Sequence, residues 1–174
     1  MMNIVLIGYR GTGKTSVGEA LSRRLGRSFY DTDAYIEEKL GRSISDAVAA
    51  KGWAFFRAME KEAIAEIAAF QHSVIATGGG AVMDKDNVDR LRENSSFVLL
   101  TADINTIIER IQRDDRSSAQ RPALLNDDIR RETETLLKHR MPVYKQVADF
   151  CVDTTNLTID EVVERIMRRY RGRE

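Results

Sequence analysis

Residues 8 to 15 read Gly-Tyr-Arg-Gly-Thr-Gly-Lys-Thr, the pattern G-x-x-x-x-G-K-[ST], directly behind the apolar run Ile4-Val5-Leu6-Ile7. These residue types at this spacing bind polyphosphate when a strand precedes them and a helix follows. Gly8, Gly11 and Gly13 let the backbone turn and expose its N–H groups, and the positive end of the helix dipole adds to their pull on an anion. Lys14 reaches the β- and γ-phosphates from a loop end expected to face solvent, and the Thr15 hydroxyl suits Mg²⁺. A glycine turn that merely caps a helix would explain the glycines but not Lys14-Thr15.

Other residues suited to chemistry lie downstream. Asp31 and Asp33 flank Thr32. In an extended segment residues i and i+2 point the same way, so both carboxylates would face the loop. One suits an outer-sphere contact to Mg²⁺ and the other a hydrogen bond to a substrate hydroxyl; the competing reading is a helix cap. An ordinary Asp is charged above a pKa of about 3.9. Arg57 and Glu60 are spaced to touch on a helix. They form a plain surface pair unless Glu60 turns Arg57 toward a bound anion. Gly78-Gly79-Gly80 ends an apolar run, which permits close approach of a ligand to the backbone or makes a loose turn. Arg116 and Arg121 lie in a polar stretch. There Arg121-Pro122-Ala123-Leu124-Leu125 suits a mobile lid, at about 113–126, that carries a cation to the γ-phosphate; a solvated loop is the alternative. His72 and His139 lack the spacing of a metal site. Trp53, Phe55 and Phe56 read as core packing rather than a pocket wall.

The elements that must position these residues alternate. Strands are predicted at 4–7, 28–30, 74–76, 97–100 and 150–152, and helices at 14–25, 34–40, 45–50, 55–70 and 88–92. Gly26 stops the first helix. Ile104, Ile107, Ile108 and Ile111 follow a helical period behind the N-cap candidate Asp103. A further helix starts near Asp127 and is expected to break or bend at Pro142. Thr158 and Glu161 form a capping box that opens the last helix. Such alternation implies a parallel sheet covered on both faces, and ligands of such sheets bind beyond the carboxyl ends of the strands. The phosphate loop, Asp31 and the three glycines all fall at such ends.

At 174 residues, one domain is expected. The 27 basic and 27 acidic side chains cancel, so no global field recruits nucleic acid or an anionic membrane. The one cysteine excludes an intramolecular disulfide; Cys151 is expected to be buried and inert in a core strand. No apolar run approaches the ~20 residues of a membrane span, and no basic segment precedes the first apolar run, so the cytoplasm is the expected location. The arginines at 165, 168, 169, 171 and 173 read as a solvated helix end.

The motif set, in this order, resembles the shikimate kinase family over essentially the whole chain. The matching stretches are residues 8–16, Asp31-Thr32-Asp33, Phe56-Arg57 with Glu60, Ala76-Thr77-Gly78-Gly79-Gly80, Arg121-Pro122 and Arg140-Met141-Pro142-Val143-Tyr144. The resemblance implies a three-layer α/β P-loop kinase fold of the nucleoside-monophosphate-kinase type, with a five-stranded parallel sheet. It implies transfer of the ATP γ-phosphate, with Mg²⁺, to the 3-hydroxyl of shikimate on the route to aromatic amino acids. By the same resemblance Gly11, Thr12, Gly13, Lys14, Thr15 and Ser16 hold ATP, and Arg121 covers its phosphates. Asp33 holds the reacting hydroxyl, and Arg57, Gly79 and Arg140 hold the shikimate carboxylate and ring. Lys14, Asp33 and Arg121 are the expected catalytic set, and Thr15 with Asp31 the metal side. A cytoplasmic monomer acting on small molecules, without nucleic-acid or membrane partners, completes the expectation. Two stretches depart from the family: Gly52-Trp53 stands where Gly-Glu is frequent, and Arg-Pro-Ala-Leu-Leu where Arg-Pro-Leu is common. The rival readings are another P-loop metabolite kinase, such as one for gluconate, and a nucleotide-binding module without transfer activity. Lys14, Asp31, Asp33 and Arg121 together speak against the latter.

Overall fold

The structure, a computed structural model, describes residues 2–113 and 126–171. Arg116, Arg121, Pro122, Ala123, Leu124 and Leu125, and with them the expected lid, lie outside the described residues. The strands are β1 (Asn3–Ile7), β2 (Ser28–Asp31), β3 (Ser73–Ala76), β4 (Ser95–Thr101) and β5 (Phe150–Asp153). The helices are α1 (Lys14–Leu25), α2 (Thr32–Leu40), α3 (Ile44–Ala68), α4 (Lys85–Arg92), α5 (Ile104–Arg113), α6 (Asn126–Val147) and α7 (Ile159–Arg171), with a short 3₁₀ turn at Ala81–Met83.

All strand pairings are parallel, in the order β2-β3-β1-β4-β5. β1 is buried along its whole length, as a central parallel strand must be when helices cover both faces. Its residues alternate between two cores. Ile4 and Leu6 pack with Val17 and Leu21 of α1 and Val162 and Ile166 of α7. Val5 and Ile7 pack with Ile64 and Ile67 of α3, Ile107 of α5 and Tyr144 of α6. The result is the expected three-layer α/β sandwich. The chain leaves β1 toward β2 on one side and later reaches β4 on the other. The carboxyl end of β1 therefore lies at a topological switch point, where crevices form.

The N-cap of α1 is Gly13, at φ 91°, and no side chain caps the helix. Its first-turn N–H groups are left for the loop and what the loop holds. Asp103 caps α5 by accepting from Thr106 N at 2.9 Å, and Thr158 and Glu161 make the predicted capping box.

Several elements differ from expectation. α2 begins at Thr32, so Asp33 sits in a helical first turn and not in an extended segment. The two predicted helices before β3 are joined as α3 across a non-helical Gly52 at φ 81° and ψ 170°. α6 runs through Pro142 instead of breaking there. Leu136, Leu137, Tyr144 and Val147 anchor it on the core, which outweighs the one hydrogen bond that proline removes. Cys151 is exposed, not buried, because β5 is an edge strand that buries mainly Val152.

Candidate active site

The phosphate loop crosses the carboxyl end of β1 and folds against its own backbone. Thr12 Oγ1 donates to Tyr9 O at 2.7 Å, and Lys14 Nζ donates to the same oxygen at 2.8 Å. Only glycine fits at position 8. Its φ is 140°, and a Cβ there would lie 2.3 Å from Leu100 O. Lys14 is half-buried rather than solvent-facing. Burial pulls its ammonium down from an ordinary 10.5 to about 8, against the opposing carboxylates of Asp33 and Asp31.

The cap reading of Asp31 holds. Its Oδ1 caps α2 by accepting from Asp33 N and Ala34 N at 3.0 and 3.3 Å. Its Oδ2 accepts from Thr15 Oγ1 at 2.7 Å. Asp33 has a different environment. Its Oδ1 is buried without a hydrogen-bond partner among the described residues. Burial, then the negative charges of Asp31 and Glu60, push its carboxyl from 3.8 up to about 7, although Lys14 opposes them. Its proton is thus held to a higher pH than in an ordinary aspartate. A helix N-terminus alone would have lowered the value; desolvation wins.

Two cavities flank Asp33. The larger, about 790 Å³, is lined by residues 10–17 of the loop and helix start, Ser16 among them, and by Asp31, Arg110, Thr154 and Leu157. Arg110 reaches Gly11 O at 3.3 Å and Thr154 Oγ1 at 2.9 Å. Arg110, Thr154 and Leu157 were missed in sequence because they come from α5 and the turn after β5, with no motif of their own. The smaller cavity, about 380 Å³, is lined by Trp53, Phe56, Arg57, Glu60, the three glycines, Glu132 and Arg140. Arg57, Gly79 and Arg140, far apart in sequence, thus meet in one place. The two cavities share Arg10, Asp33 and Gly79 as walls.

Arg57 Nη1 donates to Glu60 Oε1 at 2.6 Å. Glu60 is only 1% exposed, which rules out the plain surface pair. Burial pushes its carboxyl up, with Arg57 opposing, and its Oε2 has no partner among the described residues. Arg57 also stacks over the rings of Phe56 and Trp53, at 5.2 and 5.8 Å from their centres. Phe56 is core as expected, but Trp53, next to the non-helical Gly52, is 53% exposed at the cavity wall.

The glycine run is neither loose nor only an opening for a ligand. A Cβ on Gly78 would stand 2.5 Å from Asp33 Oδ1, and one on Gly80 would stand 2.6 Å from Arg57 Nη2. These two glycines make room for the protein's own carboxylate and guanidinium. Gly79 meets no such conflict, and its carbonyl accepts a short hydrogen bond from the Tyr144 hydroxyl. Arg140 lies over the Tyr9 ring, 5.9 Å from its centre.

A phosphate loop at the switch point of an all-parallel sheet, beside a second cavity that gathers Arg57 and Arg140, defines a P-loop kinase fold of the nucleoside-monophosphate-kinase type. Comparison with known proteins agrees. The family model for shikimate kinase matches residues 10–171, and the chain belongs to that family. It is 47% identical to the shikimate kinase of Syntrophus aciditrophicus over 98% of this chain and 91% of that protein. It is 42% identical to that of Thermodesulfovibrio yellowstonii, over 98% and 95%. Among solved structures, shikimate kinase from Acinetobacter baumannii in complex with shikimate superposes with a TM-score of 0.91 at 31% identity, covering 100% of this chain and 95% of that one. The Aquifex aeolicus shikimate kinase gives 0.82 at 30% identity, covering 99% and 98%.

Proposed function

We propose that this chain transfers the γ-phosphoryl group of ATP to the 3-hydroxyl of shikimate, giving shikimate 3-phosphate. The observation that carries this reading is Asp33. It is a half-buried carboxylate at the wall common to the nucleotide-type cavity and the one that holds Arg57 and Arg140. A hydroxyl donating to this carboxylate would point its own oxygen toward the γ-phosphate, and phosphoryl transfer depends mainly on such positioning and on charge.

In this reading Gly11, Thr12, Gly13, Lys14, Thr15 and Ser16 hold ATP, and Arg121 covers its phosphates. Lys14 offsets charge that develops on the transferred group. Arg57 and Arg140 bind the shikimate carboxylate, with Gly79 at the ring. Arg57 is held by Glu60 in an orientation that a solvated arginine would have to lose entropy to adopt. Thr15 Oγ1 and Asp31 Oδ2, 2.7 Å apart, are the hard oxygen donors Mg²⁺ prefers. They would hold the ion on the nucleotide side, where it would neutralise phosphate charge. Residues 1–174 act as one kinase domain, a cytoplasmic monomer with small-molecule partners. Among the described residues no helix is long and apolar enough to cross a membrane.

A coupled ADP-release assay with shikimate, gluconate and no acceptor tests the reading. ADP release that requires shikimate is expected. Release driven by gluconate, or none with either acid, would overturn it.

A further inference from the structure

Of the three residues that line both cavities, Asp33 and Gly79 have roles in the reading above and Arg10 has none. Arg10 belongs to the phosphate loop. Its Nη2 pairs with Glu132 Oε2 of α6 at 3.2 Å, and the two side chains are only 24% and 26% exposed. Its Nε–H is buried without a partner among the described residues. Such a shielded pair is screened less by water and salt than a surface bridge.

Glu132, Leu136 and Arg140 recur every four residues, so they share a face of α6, and all three line the smaller cavity. Tyr144, four residues further, ties the same helix to the Gly79 carbonyl. Arg140 is therefore bracketed by two attachments. Glu132 fastens α6 to the loop of the nucleotide side, and Tyr144 fastens it to the glycine run.

We propose that Arg10 and Glu132 are positioning residues that couple the two sites. The bridge joins the loop that holds nucleotide to the helix that carries Arg140, so that filling either site favours the other. This rests on the shikimate kinase reading. The sign follows from ordering. A ligand that fixes the loop fixes Arg10, and through Glu132 it fixes α6. The second ligand then meets Arg140 already placed and loses less conformational freedom on binding. Linkage makes the effect reciprocal.

Calorimetry of shikimate binding, with and without Mg²⁺ and a non-hydrolysable ATP analogue, tests this. In the native protein the analogue should tighten shikimate binding by about five-fold or more, and in Glu132→Gln by less than about two-fold. Arg10→Lys keeps a cation within reach of Glu132 but loses the planar fork; its ratio should fall between the two. A bridge that only stabilises the fold would lower the melting temperature and leave the ratio unchanged. An Arg10 that simply contacts shikimate would weaken binding equally with and without analogue. Either result overturns the coupling, as does a native ratio near one. If Glu132→Gln does not fold, Arg10→Lys decides alone, and a native-like ratio there overturns the proposal. Failure of the kinase reading is told apart by the ADP-release assay: without shikimate turnover in the native protein, both fall.

Discussion

The two cavities that meet at Asp33 are built by opposite means. The nucleotide side takes its loop from one continuous stretch, where Thr12 and Lys14 close back on Tyr9 and Asp31 caps its own helix, and Arg110 and Thr154 reach in to it from α5 and the turn after β5. The acid side is assembled from Asp33, Arg57, three glycines and Arg140, which lie on separate elements. It holds unpartnered carboxylate oxygens on Asp33 and Glu60 and carboxyls pushed up by burial. A contiguous loop can satisfy its own backbone. An assembled site draws charged groups from separate elements and leaves some of them unmet among the described residues, and the folded framework around them bears that cost.

The comparison predicts that damage to the loop removes transfer, whereas damage to the acid side divides between rate and substrate affinity. The largest effect is expected from Lys14→Met. It removes the cation beside Asp33 and Asp31, and turnover should fall by about a thousandfold or more. A folded variant with near-native turnover would end the loop assignment.

Next is Asp33→Asn, with turnover expected to drop by about a hundredfold or more. The native pH profile sharpens the point. Asp33 must lose its proton near 7, and Lys14 loses its own near 8. The profile of kcat/KM for shikimate should therefore be a narrow bell, whose limbs belong to the coupled pair. An acid limb near an ordinary Asp value would contradict the burial argument. Stability should run the other way. Because the folded pKa is raised from 3.8 to about 7, the stabilisation from Asp33 is full below the lower value and is lost as pH rises through the upper. The melting temperature of Asp33→Asn should thus gain on the native protein between about pH 4 and about pH 7.

The arginines come third. Arg57→Lys and Arg140→Ala should each raise the KM for shikimate by roughly ten- to a hundredfold and the KM for ATP far less. Lysine at 57 should do nearly as badly as alanine, since the fork that Glu60 holds is lost. Equal, minor changes in both constants would sink the carboxylate clamp.

The smallest effects separate the outer glycines. Gly78→Ala presses on Asp33 and should lower kcat by about tenfold with little change in KM. Gly80→Ala presses on the flexible end of Arg57 and should raise the shikimate KM by several-fold at near-constant kcat, by about 1 kcal/mol or less. Identical kinetics for the two variants would show that the glycines do not serve separate partners.

Much of this was legible in the chain. The 3.6-residue period placed the helices and short apolar runs placed the strands, because a helix buries one face and a central parallel strand buries both. The loop was legible because Gly8, Gly11, Gly13, Lys14 and Thr15 act within one turn of backbone. Boundaries such as the start of α2, and the survival of α6 through Pro142, were not legible. There a cap or a packed core outweighed local preference.

What the sequence determined by itself is the alternating parallel sheet, the phosphate loop and the set of charged residues at the strand ends, since these rest on local spacing. Only the tertiary structure decided how those charges behave. It buried Glu60, raised Asp33 and lowered Lys14, and it exposed Cys151 and Trp53. It also made Gly78 and Gly80 the clearance for Asp33 and Arg57 and joined Arg10 to Glu132. Burial and electrostatic coupling depend on distances between elements remote in the chain, which no local pattern encodes.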